Sequence, residues 1–197
     1  MSLKKKTGLF FGSFNPIHVG HLIIAGHIVA DSDIDELWLV VSPHNPLKDK
    51  KSLANDYDRL LMTELAIGEN IKIKASNIEF SLPKPSFTID TLSYLKEKYP
   101  AKEFVLIMGA DNIESLDKWK NYELLLAENE IFVYKRPGSI ENLPSFIQGE
   151  HHIAFIDAPL LEISSSYIRE RIRQNLDFRY LVTDAVHKYI VENRLYK

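Results

Sequence analysis

Short apolar runs alternate with segments of helical periodicity along this chain, and this alternation limits the folds open to it. Residues 9–12 and 37–41 are apolar runs that end in turn residues, as buried strands do. Between them, residues 21–30 place apolar side chains three and four positions apart, as an amphipathic helix does. Strands that alternate with helices form parallel sheets covered on both faces. The sequence therefore predicts an α/β protein with a Rossmann-like, doubly wound parallel sheet.

The same alternation continues towards the C-terminus. We expect strands near 71–75, 104–108, 130–134 and 153–156, and helices over 57–67, 88–98, 112–116 and 122–127. The final segment, from about 164 to 197, is predicted to be wholly helical, with one helix after Ser166 and another that starts at Thr183 or Asp184. No repeat or linker interrupts the pattern, and we expect a single domain over 1–197.

Composition limits the kind of partner that the protein can bind. The chain has 197 residues, of which 45% are hydrophobic, and a net charge of -3, so it can bury a core but does not attract nucleic acid or anionic membranes as a whole. With no cysteine, it forms no disulfide and offers no thiolate nucleophile. No apolar run approaches the ~20 residues that span a bilayer. We expect a soluble, cytoplasmic protein that binds small molecules; the sequence leaves a homo-oligomer open.

The segment from Gly12 to His21, hereafter the histidine turn, lies between the first strand and the first helix. Helix N-termini at this position present free N–H groups to phosphate. Gly12 and Gly20 allow close backbone approach, and His18 and His21 are three apart, so that both imidazoles project towards one ligand. Imidazoles can donate hydrogen bonds to phosphate and counter its charge. The alternatives are one capping and one packing histidine, or a zinc site, which lacks further ligands at recognisable spacing.

A second phosphate-binding segment is predicted near the C-terminus. Ile168 and Ile172 are four apart and can face the core, while Ser166 and Arg169 share another face. Ser166 as the N-cap, with the Arg169 guanidinium, would form a phosphate clamp opposite the histidine turn. Alternatively, Arg169 belongs to a solvated basic face of the helix.

The histidine turn resembles the nucleotidyltransferase superfamily that shares a His-x-Gly-His signature, in particular its nicotinate-nucleotide adenylyltransferase branch. Residues 85–92, residues 109–111 with Trp119, and residues 163–169 are similar to further motifs of that branch, and the resemblance covers about residues 8–195. It implies a reaction of NAD biosynthesis, in which the 5′-phosphate of nicotinate mononucleotide attacks the α-phosphorus of ATP. The products are deamido-NAD and pyrophosphate, and Mg²⁺ arrives with ATP without a dedicated protein metal site.

The resemblance also implies roles for individual residues. The implied catalytic residues are His18, His21 and Arg169. The implied ATP-binding residues are Gly12, Ser13, Phe14, His18, Gly20, His21, Gly109, Asp111, Ser166 and Arg169. The implied substrate-binding residues are Lys48, Thr88 and Trp119, with the tryptophan stacked on the pyridine ring. The alignment of Lys48 departs from the family pattern, and His44 could share its role.

Taken alone, Trp119 is typical of a packing aromatic, and Asp111 is typical of a helix cap. Other transferases of the superfamily, acting on nicotinamide mononucleotide, phosphopantetheine or cytidylyl substrates, share the histidine turn and remain alternatives. A noncatalytic nucleotide-binding protein is an alternative of a different class. A dehydrogenase is disfavoured because Gly-x-Gly-x-x-Gly is absent.

Overall fold

A six-stranded, fully parallel sheet forms the centre of the structure. The computed structural model describes residues 4–43, 53–135, 144–147, 152–159 and 161–197. The strands are β1 (Lys5–Gly12), β2 (Glu36–Val41), β3 (Ile73–Ser76), β4 (Lys102–Gly109), β5 (Glu130–Tyr134) and β6 (Ile153–Ile156). Their order in the sheet is β3-β2-β1-β4-β5-β6, so the topology switches direction between β1 and β4. Ligands bind at this point in doubly wound sheets. The predicted α/β fold is confirmed.

Helices cover both faces of the sheet. In the described part of the chain they are α1 (Val19–Asp31), α2 (Asp56–Ile67), α3 (Thr88–Lys98), α4 (Ala110–Ile113), α5 (Tyr122–Glu128), α6 (Ser165–Arg173) and α7 (Asp184–Glu192). Successive strand residues point to opposite faces, so that Leu9 and Phe10 enter two different apolar clusters. None of the described helices is long and apolar enough to cross a membrane.

The C-terminal segment contains the two predicted helices, and the second starts where predicted, after Thr183, but the segment is not wholly helical. Helices α6 and α7 are separated by residues 174–183, which include a 3-10 turn over Arg179–Leu181. Asn175 ends α6 with a positive φ of 56°, a conformation that suits asparagine after a helix. Phe178 and Val182 are then buried in the core, which accounts for the non-helical connection between the two helices.

The predicted cap of α6 was also wrong. Ser164, not Ser166, is the N-cap, and its hydroxyl accepts the backbone N–H of Tyr167. Three consecutive serines can all cap a helix, and the backbone conformation decides between them. Ser164 has extended dihedral angles, whereas Ser166 lies inside the first helical turn.

A buried carboxylate stands at the amino end of the sheet. Glu36, the first residue of β2, is 1% exposed and accepts hydrogen bonds from Lys5, Lys74 and Lys102, which lie on β1, β3 and β4. The Trp38 indole also donates to it, over 3.2 Å. Burial acts to raise the pKa of this carboxyl, but hydrogen bonds from Lys102, Lys74 and Lys5 outweigh it and lower the pKa to about 2.

Candidate active site

The histidine turn brings two imidazoles together at the start of α1. His18 is the N-cap of the helix, and its backbone N–H donates to Nδ1 of His21 over 3.3 Å. The two ring centroids are 3.7 Å apart. Because Nδ1 of His21 accepts a hydrogen bond, its neutral ring carries the proton on Nε2. The pair lies where the positive end of the helix dipole favours an anion.

Two glycines in the turn are required by close packing. A Cβ atom on Gly20 would lie 3.0 Å from Nδ1 and 3.1 Å from Cε1 of His18. A Cβ atom on Gly12 would lie 2.7 Å from the Phe14 ring. The His18 and Phe14 rings therefore occupy the space where larger residues would place their side chains.

Phe14 supports the histidines from inside the turn. It is 1% exposed, has a positive φ of 43° and packs edge-on against His21 with ring centroids 5.0 Å apart. Phe10, on β1, packs against both rings. The strained backbone at Phe14 is typical of a position that the surrounding packing holds for function.

The N-terminal part of helix α6 packs against the histidine turn. Nη1 of Arg169 donates to the Asn15 carbonyl over 2.8 Å, and Nη2 donates to the Ser166 hydroxyl over 3.2 Å. The Ser165 hydroxyl donates to the Pro16 carbonyl over 2.9 Å. Desolvation lowers the pKa of Arg169, but a guanidinium stays charged in proteins. The structure therefore places this cation next to the histidines.

A cavity of about 670 Å³ opens between the turn, α6, α4 and the end of β5. The predicted ATP-binding residues that line it are Gly12, Ser13, Phe14, His18, Gly20, His21, Asp111, Ser166 and Arg169. Gly109 ends β4 and does not line it. The volume of the cavity falls in the range of small-molecule sites.

Thr88 and Trp119 lie outside the lining of this cavity, in two segments that are close to each other. Lys120 joins them, because its ammonium is 2.8 Å from Asp90 and 4.9 Å from the centre of the Phe87 ring. The Ser86 hydroxyl and the Trp119 indole nitrogen are buried, and neither has a hydrogen-bond partner among the described residues. Buried donors of this kind are rare in folded proteins.

Two parts of the predicted site stay predictions. Lys48 and its alternative, His44, lie outside the described residues. Within the ranges that the structure describes, no group of three or more His, Asp or Glu side chains is placed to hold a metal ion.

Sequence reasoning missed Arg59. This side chain is fully buried in α2 and donates to the carbonyls of Ser13 and Ser42. The available signal was its position, since Met62 and Thr63, three and four residues later, mark the buried face of the helix. An arginine on that face must find polar partners inside the protein.

Known proteins resemble this chain over nearly its full length. The sequence profile of the cytidylyltransferase-like family matches residues 9–171. A protein of Cytophaga hutchinsonii, named "probable nicotinate-nucleotide adenylyltransferase", is 49% identical over 97% of this chain and 98% of its own length. A protein of Flavobacterium johnsoniae with the same name is 50% identical over 98% of this chain and 99% of its own.

Solved structures agree with these matches. The structure of Plasmodium falciparum nicotinic acid mononucleotide adenylyltransferase complexed with NaAD has a TM-score of 0.82 and 25% identity, covering 98% of this chain and 97% of its own. The same enzyme complexed with APC gives a TM-score of 0.81. The predicted family is confirmed: the chain belongs to the nicotinate-nucleotide adenylyltransferases, nucleotidyltransferase enzymes of the cytidylyltransferase-like family.

Proposed function

We propose that this protein joins ATP and nicotinate mononucleotide in NAD biosynthesis. An oxygen of the mononucleotide 5′-phosphate attacks the α-phosphorus of ATP, and the bond from that phosphorus to the oxygen bridging to the β-phosphate breaks. Nicotinate adenine dinucleotide and pyrophosphate are the products. The relatives named for this activity, and the Plasmodium enzyme complexed with NaAD and with APC, support the choice of substrates.

The observation that carries the proposal is the grouping of His18, His21 and Arg169 around one cavity. Both reactants are anions, so catalysis requires positioning and neutralisation of phosphate charge. The start of α1 supplies N–H groups, the Nε2–H of His21 can donate, and Arg169 supplies a fixed cation. No side chain has to form a covalent intermediate.

We assign the pyridine end of the mononucleotide to the segments around Thr88 and Trp119. The buried Ser86 hydroxyl and Trp119 indole nitrogen are donors without partners among the described residues, as expected of groups that meet a polar ligand. Lys48 remains a proposed substrate-binding residue.

Mg²⁺ fits the donor set of the cavity. It prefers oxygen ligands, keeps several waters and needs one or two carboxylates besides the nucleotide phosphates. Asp111 lines the cavity and would provide such a carboxylate. When bound, the ion would neutralise phosphate charge; the chain's own residues orient the two substrates.

The testing experiment is pyrophosphate release from the purified protein with ATP and Mg²⁺. Nicotinate mononucleotide, nicotinamide mononucleotide and phosphopantetheine are compared as acceptors, and omission of Mg²⁺ is the control. We expect release with nicotinate mononucleotide and far less with the other two. Release with phosphopantetheine instead would replace the proposed substrate. If none of the three acceptors gave pyrophosphate release, a noncatalytic binder would be favoured.

We further propose that residues 1–197 act as a single nucleotidyltransferase domain, in the cytoplasm, where ATP is available. Light scattering on the purified protein would decide between a monomer and a homo-oligomer.

A further inference from the structure

Arg59 is a fully buried cation that contacts mainly backbone. Its Nη1 donates to the carbonyls of Ser13, over 2.5 Å, and Ser42, over 2.8 Å. Its Nε donates to the Ala54 carbonyl over 3.2 Å, and its Nη2 lies 2.7 Å from Asp56. A buried charge is costly unless it is paired and hydrogen-bonded. This guanidinium meets that condition, because it pairs with Asp56 and donates to backbone carbonyls of separate segments of the chain.

The bonded carbonyls belong to the ends of two adjacent strands. Ser13 directly follows β1, and Ser42 directly follows β2. The Ser42 N–H also donates to the Gly12 carbonyl over 2.9 Å, which joins the two strand ends. Arg59 therefore fixes the backbone at the carboxyl edge of the sheet, where Gly12 and Ser13 line the cavity.

The histidine turn is held on both sides of Phe14. Arg59 binds the carbonyl of Ser13, and Arg169 binds the carbonyl of Asn15. The Asn15 side chain in turn accepts the Ala54 N–H over 3.0 Å. These bonds restrain the residues that flank the positive φ of Phe14, whose ring packs against His21.

We propose that Arg59 is a positioning residue for the phosphate site, and that it keeps the histidine turn in the conformation that presents His18 and His21 to the cavity. The expected effect of Arg59 on turnover rests on the proposed function. The expected effect of Arg59 on the conformation of the histidine turn does not. An arginine is required because its planar fork donates in several fixed directions, whereas a lysine is a single charged point.

Nuclear magnetic resonance of the histidine side chains tests the geometry without any ligand. In Arg59→Lys, we expect the imidazole resonances of His18 and His21 to shift, while those of His27, which pairs with Asp31 further along α1, stay in place. Asp56→Asn, which weakens the ion pair holding the guanidinium, should shift the same two residues by less and serves if Arg59→Lys does not fold. Unchanged His18 and His21 resonances in the folded variant would overturn the proposal.

Steady-state kinetics test the consequence for catalysis. We expect Arg59→Lys to lower kcat on the order of 10- to 100-fold, because small displacements of catalytic groups cost that much. Met62→Ala is the matched control, since Met62 is buried in the same helix and its loss lowers thermal stability while the hydrogen bonds of Arg59 to Ser13 and Ser42 stay in place. Equal kcat in the two variants, assayed where both are folded, would reduce Arg59 to a purely structural residue. If the wild type releases no pyrophosphate, the proposed function fails, and the resonance shifts still decide the role of Arg59.

Discussion

At the residue scale, the His18 ring owes its place to the absence of a side chain on Gly20. A methyl group there would meet the ring at 3.0 Å, so that the ring must move. Gly26 lies in the same helix, and nothing comes within 4 Å of a Cβ added to it. Substitution of Gly20 therefore tests the packing against His18, whereas substitution of Gly26 tests only the helix propensity of the residue.

We expect Gly20→Ala to reduce kcat roughly 10- to 100-fold, since the displaced imidazole no longer meets the phosphate in the right geometry. Gly26→Ala should keep wild-type kcat and stabilise the fold by about 0.5–1 kcal/mol, because alanine is the better helix former. Steady-state kinetics and urea denaturation measure the two effects. Equal kcat in both variants would contradict the assignment of His18 to the site.

His21 offers a second test at this scale. We expect His21→Ala to lower kcat by about 10²–10³-fold, as removal of one preorganised donor does in other enzymes, with a small change in thermal stability. His27→Ala is the control: His27 belongs to the same helix and pairs with Asp31 at the surface over 3.0 Å. Turnover of His21→Ala at the level of His27→Ala would exclude His21 from catalysis.

At the scale of elements, α6 depends on its N-terminal serines. Ser164 caps the helix and Ser165 bonds to Pro16, so the first turn of α6 is fixed against the histidine turn and carries Arg169 with it. The cap of α7, Thr183, accepts the Val186 N–H in the same way but lies on a helix that contributes nothing to the cavity.

Substitution of the two caps should therefore separate stability from activity. We expect Ser164→Ala and Thr183→Ala each to lower the free energy of unfolding by about 1 kcal/mol. Only Ser164→Ala should also raise the KM for ATP, because Arg169 loses part of its support. Denaturant titration and kinetics on both variants measure this, and an equal KM in the two would argue against α6 as a phosphate-binding element.

At the scale of the whole molecule, the sheet has two distinct ends. The carboxyl ends of the strands carry the cavity, and the amino ends carry the ion cluster around Glu36. The cluster joins distant parts of the chain, because the three bonded lysines are 31, 38 and 66 residues away from Glu36 in sequence. It should contribute to the stability of the fold and not to the chemistry.

The contribution of Glu36 should depend on pH. The folded pKa of about 2 lies below the ordinary value of 4.5, so its stabilisation is fully present above about pH 4.5 and disappears as the pH falls towards 2. We expect Glu36→Gln to lower the free energy of unfolding by about 3 kcal/mol at pH 7, with a difference that shrinks below pH 4.5, and to leave kcat unchanged. Denaturant titrations of both proteins from pH 2 to 8 measure the difference; a difference independent of pH would contradict the ion-pair account.

The sequence by itself determined the features that depend on local patterns. Apolar periodicity predicted the strands and most helices. The spacing of His18 and His21 between β1 and α1 predicted that both imidazoles project towards one region, and their ring centroids are 3.7 Å apart. The sequence also predicted that Ile168 and Ile172 face the core. These relations lie within a few residues of each other in the chain.

Only the tertiary structure decided the contacts between distant segments. Ser164 rather than Ser166 caps α6 because the turn of the chain into the helix is set by packing against the histidine turn. Arg59 reaches Ser13, 46 residues away, and Glu36 meets three lysines on other strands. The spacing of Arg59 to Met62 and Thr63 indicates only that it lies on the buried face of α2, and nothing local distinguishes Glu36 from a solvated glutamate. The partners of both charges depend on how the sheet and α2 come together.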